Sequence, residues 1–162
     1  AIISMSMNHE KWISEALLEA KIAADEGEIP IGAVVVWRNR VIGRGRNRKE
    51  ALKDPTAHAE ILALREAGRN LGAWRLPGTT IYSTLEPCCM CAGAMVNARM
   101  DRLGYALRDD KAGAAGSVYD LVRSPWLNHR LQVVGGVLAE EAQSLLQGFF
   151  EALREGERRV PD

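Results

Sequence analysis

The chain has 162 residues, 47% of them hydrophobic, a length that suits one globular domain with a sizeable core. Its 21 Lys and Arg balance its 21 Asp and Glu, so no overall charge indicates nucleic acid or a membrane surface as a partner. The three cysteines, at positions 88, 89 and 91, are too close together for a disulfide framework and favour a reducing compartment, expected to be the cytoplasm.

The first predicted element is an amphipathic helix that begins after Asn8, a good N-cap residue, and ends at Gly27. Apolar residues recur along it at helical spacing, and Trp12 is expected to face the core. The longest apolar stretch of the chain, residues 29–37, is too short to cross a bilayer, so we expect no membrane partner.

Two strands and two helices follow. Residues 31–37 are rich in β-branched side chains and residues 41–47 resume after a short turn, which predicts an antiparallel hairpin. We expect a loop and then a helix capped by Thr56. Residues 79–85 predict a third strand, and Pro87 is typical of the first position of the helix that follows.

The C-terminal part alternates in the same way. The pattern predicts a fourth strand at 102–107, a loop at 108–117 and a short helix at 118–122. It then predicts a fifth strand at 131–136 and a long amphipathic helix at 137–159. Alternating strands and helices predict an α/β fold in three layers, with a five-stranded mixed sheet between helices. Its first two strands are expected to be antiparallel and the others mostly parallel.

The expected domain organisation is simple. Met5 and Met7 are both candidate start residues, so residues 1–7 are expected to be a disordered start or an expression remnant. A single domain is expected over residues 8–155, followed by a tail over 156–162.

The cysteines indicate a metal site. Cys88 and Cys91 are three residues apart on a predicted helix, so both thiols share one face near a helix N-terminus, which favours the thiolate that binds metal. Cys89 points elsewhere and is expected to be a buried apolar side chain. His58 lies in the first turn of the preceding predicted helix, and successive strand–helix units bring their helix N-termini to one sheet edge, so His58 is the expected third ligand.

Three protein ligands leave one position open for water, which is the catalytic arrangement of zinc. The carboxylate of Glu60 can reach that position and move protons between water and a substrate, so the pattern predicts a hydrolytic site. Two alternatives stay open: a redox-active C-x-x-C pair, and a structural zinc site closed by Cys89, His9 or His129.

Two motifs carry a family resemblance. TAHAEI and EPCCMC together resemble the H-x-E…P-C-x-x-C signature of zinc-dependent nucleoside and nucleobase deaminases. Within that superfamily the chain resembles the bacterial tRNA-specific adenosine deaminases over nearly its whole length, from IPIGAVVV through DPTAHAEI and TLEPCCMCAGAM to LLQGFF. Cys89 departs from many relatives, which carry another residue there.

The resemblance implies a cytidine-deaminase-like α/β/α fold with one Zn²⁺ per chain, held by His58, Cys88 and Cys91. It implies that Glu60 shuttles protons while hydroxide derived from water attacks C6 of adenine, releasing ammonia and leaving inosine. The implied substrate is the wobble adenosine of a tRNA anticodon loop. The implied assembly is a homodimer with the active site near the subunit interface.

Candidate substrate-binding residues come from pattern and from resemblance. Arg44, Arg46 and Arg48 alternate along a predicted strand and its exit loop, and Lys49 follows them. Their side chains are expected to face one side, where they would meet RNA phosphates or keep an edge strand solvated. The resemblance implies that Asn47 contacts the target nucleotide and that Asp109 faces a ribose hydroxyl, although Asp109 is also a common turn residue. Further candidates are Lys111, Trp126, Asn128 and Arg130.

Two rival functions stay open. A deaminase of free guanine or cytidine would share the zinc site and differ in its loops. A non-catalytic RNA-binding module with structural zinc would retain metal and RNA but show no turnover.

Overall fold

The structure is a computed structural model that describes residues 8–159, with side chains described up to residue 157. The expected start, residues 1–7, and the end of the expected tail, residues 160–162, lie outside the described residues. The elements are α1 His9–Asp25, β1 Gly32–Trp37, β2 Arg40–Arg46, α2 Lys49–Leu52, α3 Ala59–Leu71, β3 Thr80–Leu85, α4 Cys89–Asn97, β4 Arg102–Leu107, β5 Gln132–Val134 and α5 Ala139–Arg159.

The five strands form one mixed sheet in the order β2-β1-β3-β4-β5. Strand β1 is antiparallel to both β2 and β3, whereas β3 with β4 and β4 with β5 are parallel. The predicted hairpin and the mixed sheet are confirmed. Because β1 opposes both of its neighbours, β2 and β3 run in the same direction, and the helices that follow them begin at the same edge of the sheet.

Helices cover both faces of the sheet, as the three-layer prediction requires. Strand residues alternate between two cores: Val35 packs in the cluster with α3 and α4, and Val34 in the cluster with α1 and α5. Trp12 belongs to the second cluster and is 5% exposed, so its predicted core position is confirmed. Within residues 8–159, no helix combines the length and the apolar character needed to cross a membrane.

Helix α3 lies unusually close to strand β2. A Cβ atom at Gly45 would overlap the carbonyl oxygen of Ala59, and one at Gly43 would overlap that of Ala63. The two glycines leave room for the helix backbone, and alanines on α3 face them. This close packing fixes the start of α3, and with it His58, against the end of β2.

The predicted loop at residues 49–52 and the predicted starts of α3 and α4 are wrong. Residues 49–52, expected in a loop, form the short helix α2. Thr56 does not cap α3, because the helix begins at Ala59 and His58 takes the cap position. The backbone N–H and the hydroxyl of Thr56 both donate to Asp54 Oδ1, at 2.8 Å each. Pro87 is not the first residue of α4, because Cys88 has extended backbone angles and is itself the cap.

The short helix predicted at 118–122 is also wrong. The backbone of this segment pairs across its own loop instead: Val118 and Tyr119 both donate to Gly113 O, and Leu121 donates to Ala114 O. Backbone groups that are used in this way cannot form the i to i−4 bonds of a helix.

Candidate active site

Three potential metal ligands converge where α3 and α4 begin. His58 Nδ1 lies 3.6 Å from Cys88 Sγ and 3.4 Å from Cys91 Sγ. Cys91 is fully buried in the first turn of α4, and Cys88 is half-buried at the cap. The shared direction of β2 and β3 brings the two helix starts together, as the sequence predicts.

The spacing of these atoms fits zinc. Zn–S bonds of about 2.3 Å and Zn–N bonds of about 2.0–2.1 Å, at the tetrahedral angle, separate a sulfur ligand from a nitrogen ligand by about 3.6 Å. The observed separations of 3.6 and 3.4 Å agree with that value. One imidazole and two thiols are also a donor set that Zn²⁺ prefers, so the residues present fit the ion.

The candidates for a fourth protein ligand lie elsewhere. His9 Nδ1 is hydrogen-bonded to the hydroxyl of Tyr82 at 2.8 Å, and His129 Nε2 to Met100 O at 2.6 Å. Cys89 is exposed, so its predicted burial is wrong: at the first position of α4 its side chain faces solvent. Within residues 8–159, the group that could hold a metal consists of His58, Cys88 and Cys91, which leaves a coordination position for water.

The ligand cluster favours a thiolate. A hydrogen bond from the Cys91 thiol, assisted by His58, lowers the pKa of Cys88 to about 3. The same hydrogen bond, together with burial, raises the pKa of Cys91, and the contact with Cys88 raises the pKa of His58. Cys88 is therefore a thiolate at neutral pH, which is the form that binds a metal ion.

Glu60 is buried beside the cluster, in the first turn of α3, with 4% of its surface exposed. Burial raises its pKa to about 7, although its own backbone N–H, His58 and a contact with Cys91 all favour the carboxylate. A carboxyl group with such a pKa can both accept and release a proton near neutrality.

A pocket of about 160 Å³ opens onto these residues. Its apolar walls include Ile29, Ile31 and Leu85, and two predicted substrate-binding residues, Asn47 and Asp109, line it as well. Apolar walls with a few placed polar groups are typical of sites for small molecules or single bases.

Asn47 is held at the exit of β2 with 3% of its surface exposed. Its Nδ2 donates to Ile29 O at 3.5 Å, and its Oδ1 accepts from Lys49 N at 3.4 Å. Both contacts are long for hydrogen bonds, so the amide keeps donor and acceptor capacity for a group that enters the pocket.

Arg44 and Arg46 share one face of β2, as predicted, but they lie outside this pocket. The Arg44 guanidinium contacts Glu15 and Glu19 at 2.8 Å each, and Arg46 contacts Glu26 at 2.6 Å and Glu19 at 3.7 Å. Acidic side chains of α1 and of its C-cap residue, Glu26, therefore pair with both predicted phosphate ligands.

Asp109 lines the pocket and also forms a turn. Its Oδ1 accepts from Lys111 N at 3.0 Å and from Ala112 N at 3.2 Å, so the side chain stabilises the loop after β4. Lys111 is exposed on that loop and does not line the pocket. Both interpretations of Asp109 made from the sequence are therefore compatible with its position.

Sequence reasoning missed Glu86, which organises the same loop. Its carboxylate is 1% exposed and accepts hydrogen bonds from Asp109 N, Ala115 N, and the backbone and hydroxyl of Ser117, at 3.1, 3.0, 3.2 and 2.8 Å. Burial alone would raise the pKa of Glu86, but these hydrogen bonds together lower it. The signal in the sequence was an acidic residue placed directly before Pro87, between a buried strand and a buried helix.

The remaining candidates lie in the loop before β5. Trp126 is 92% exposed, so it does not cover the sheet. Arg130 Nη2 donates to Pro125 O at 2.9 Å, and Asn128 is exposed. None of the three lines the pocket formed by the described residues.

Comparisons with known proteins identify the family of the chain. The MafB19-like deaminase family model matches residues 7–154. The tRNA-specific adenosine deaminase of Bacillus subtilis is 45% identical over 145 residues, 90% of each protein, and that of Haemophilus influenzae is 47% identical over 147 residues, 90% of this chain and 85% of the other.

Solved structures extend the comparison. A structure from studies of A-to-I editing by tRNA:A34 deaminases at the wobble position of transfer RNA has a TM-score of 0.81 and 44% identity, covering 84% of this chain and 99% of the other. Guanine deaminase from Nitrosomonas europaea has a TM-score of 0.72 and 27% identity, covering 86% and 83%. With the identities and coverage of these relatives, the chain belongs to the MafB19-like deaminases and, within them, to the family of bacterial tRNA-specific adenosine deaminases.

Proposed function

We propose that the chain hydrolytically deaminates adenosine to inosine at the wobble position of a tRNA anticodon loop. The observation that carries the proposal is the convergence of His58, Cys88 and Cys91 beside the buried carboxyl of Glu60, in a pocket that Asn47 also lines. The relatives named tRNA-specific adenosine deaminase support the choice of substrate.

One Zn²⁺ per chain would be held by His58, Cys88 and Cys91. When bound, this ion supplies the Lewis acidity that makes hydroxide available from water near neutral pH. Glu60 is the proton carrier: its carboxylate takes a proton from the attacking water and returns it to the leaving amine, so that adenosine and water become inosine and ammonia. The apolar walls exclude bulk water from this exchange.

The residues at the mouth of the pocket orient the substrate. In this proposal the Asn47 amide hydrogen-bonds the target base, and Asp109 accepts from a ribose hydroxyl. Arg44, Arg46 and Lys111 remain proposed contacts for RNA outside the pocket.

The proposed function includes an assembly and a cellular location. It takes residues 8–155 as one deaminase domain that works as a homodimer. Free thiols at the metal site need a reducing compartment, so the proposed location is the cytoplasm.

The test is deamination of an anticodon stem-loop RNA with adenosine at the wobble position, with inosine quantified by mass spectrometry. Free guanine, adenosine and cytidine are assayed in parallel, since the similarity to guanine deaminases makes guanine the second candidate substrate. Inosine in the stem-loop supports the proposal. Ammonia from free guanine without inosine in the RNA would reassign the substrate, and RNA binding without any turnover would indicate a non-catalytic module.

The Glu60→Gln variant tests whether the Glu60 carboxylate transfers protons without binding zinc. Because Glu60 carries protons and is not a ligand, we expect the variant to keep its zinc while turnover falls about 10²–10⁴-fold. Turnover near that of the unmodified protein would contradict the assignment of Glu60.

A further inference from the structure

A second, polar cleft runs between edge strand β2 and the outer flank of α3. Its volume is about 330 Å³, and its lining includes five arginines: Arg44, Arg46, Arg48, Arg65 and Arg69. The chain carries no net charge, so such a cluster is a local concentration of positive charge.

The five arginines are not equivalent. Arg44 is paired with Glu15 of α1, and Arg46 with Glu26, the C-cap residue of α1. By contrast, no carboxylate among the described residues lies within 4.0 Å of the guanidinium of Arg48, Arg65 or Arg69.

The acidic residue in the lining, Glu66, forms no ion pair within 4.0 Å with these three arginines. Glu66 Oε1 accepts from Arg44 N at 3.3 Å, which ties the carboxylate to the backbone of β2. The Nε atom of Arg48 is buried and has no hydrogen-bond partner. A buried donor without an acceptor is costly.

The cleft adjoins the catalytic pocket. Arg48 lies between Asn47 and Lys49, both of which line that pocket, and its backbone N–H donates to Ala57 O next to His58. Arg65 and Arg69 follow on α3, one helical turn apart. Positive charge is thus continuous from the mouth of the pocket along the flank of α3.

We propose that this cleft binds the sugar-phosphate backbone of the RNA where it continues beyond the target nucleotide, an inference that rests on the proposed function. Arg65 and Arg69 contact phosphates, and Arg48 bridges the cleft and the pocket. Arginine suits this role because its planar guanidinium binds two phosphate oxygens at once. The contacts read no sequence; they position the strand so that the target base reaches Asn47.

The test compares two double variants that remove the same charge. Arg65→Gln/Arg69→Gln alters the cleft, and Arg38→Gln/Arg40→Gln alters the β1–β2 turn at the opposite end of β2. Binding of the stem-loop RNA is measured by fluorescence anisotropy over a range of salt concentrations, and deamination is measured at saturating RNA.

For the cleft variant we expect a Kd raised about tenfold and a slope of log K against log salt that is smaller by about 1.5, since each lost phosphate contact removes about 0.7–0.9. The turn variant is expected to behave as the unmodified protein in both binding and deamination. Arg65→Lys/Arg69→Lys keeps the charge, so it should retain the salt slope while binding more weakly.

An unchanged Kd and salt slope in the cleft variant would overturn the inference, whether or not its melting temperature falls, because the arginines would then only support α3. If the glutamine variant does not fold, a lysine variant with unchanged affinity overturns the inference and one with weakened affinity supports it. Failure of the proposed function looks different: the unmodified protein would form no inosine.

Discussion

The three neighbouring cysteines have three different environments. Cys91 is buried against His58, Cys88 caps α4, and Cys89 faces solvent. We expect Cys91→Ser to lose bound zinc and Cys89→Ser to retain it, because the Cys91 thiol lies within the ligand cluster and the Cys89 thiol does not. Metal content measured by inductively coupled plasma mass spectrometry checks this, and zinc loss in Cys89→Ser instead would contradict the assigned ligand set.

Glu86 makes a second prediction at the level of a single side chain. Replacing its carboxylate with an amide turns an oxygen acceptor into a donor that faces N–H and O–H groups in a buried site. We expect Glu86→Gln to lower the free energy of unfolding by roughly 2–4 kcal/mol. Urea denaturation measures the change.

The matched control for Glu86→Gln is Glu151→Gln on the exposed side of α5, which should change stability by less than about 0.5 kcal/mol. Hydrogen exchange should also increase in residues 109–117 of the Glu86 variant, because its carboxylate ties this loop to the end of β3. Equal stability of the two variants would show that the loop does not depend on Glu86.

At the scale of elements, long periodic segments were predictable and short ones were not. The apolar periodicity of α1 and the β-branched run of β1 gave both elements nearly to the residue. The four-residue helix α2 is too short to show a period. Its N–H groups at Glu50 and Ala51 are held by the distant carboxylate of Glu28, which no local pattern reveals.

The starts of helices were also hard to predict, because contacts outside the helix decide which residue is the cap. Thr56 is a good capping residue in isolation, but it belongs to a turn in which its N–H and hydroxyl donate to Asp54, and α3 begins at Ala59, after His58. These errors do not change which residues come together. His58 and Cys88 are the cap residues of α3 and α4, so moving a helix start by one or two residues still places both at neighbouring helix N-termini.

The close approach of α3 to β2 gives a prediction for a pair of elements. A methyl group at Gly45 would overlap the backbone of α3, so we expect Gly45→Ala to lower the free energy of unfolding by about 1–3 kcal/mol and to weaken zinc binding by displacing His58. Thermal denaturation and zinc titration measure the two effects.

Gly148→Ala is the control for this glycine. Apart from the adjoining residues and the backbone of α5 itself, no atom lies within 4 Å of a Cβ at that position, so alanine should stabilise the helix by up to about 1 kcal/mol. Unchanged stability and zinc affinity in Gly45→Ala would mean that α3 is not fixed by its contact with β2.

At the scale of the whole molecule, net neutrality hides an uneven distribution of charge. The sequence shows that Arg44 and Arg46 share a face, but not that Glu15 and Glu19 of α1 lie against them, because that contact joins residues more than twenty positions apart. Arg65 and Arg69, which have no carboxylate partner within 4.0 Å in the described part of the chain, instead lie on α3. The tertiary fold therefore determines which arginine side chains are free of carboxylate partners and can bind RNA phosphates.

Zinc would connect two strand–helix units of the molecule, since His58 precedes α3 and the two cysteines belong to the start of α4. An ion that binds the folded state alone stabilises it, by about 4 kcal/mol when its concentration is a thousandfold above Kd. For a chain of this size we expect removal of zinc by a chelator to lower the melting temperature by about 8–16 °C. The chelator should lower the melting temperature of Glu60→Gln by the same amount, because the zinc ligands of this variant are intact. It should hardly change the melting temperature of Cys91→Ser. An equal decrease in Cys91→Ser would place the stabilising ion elsewhere.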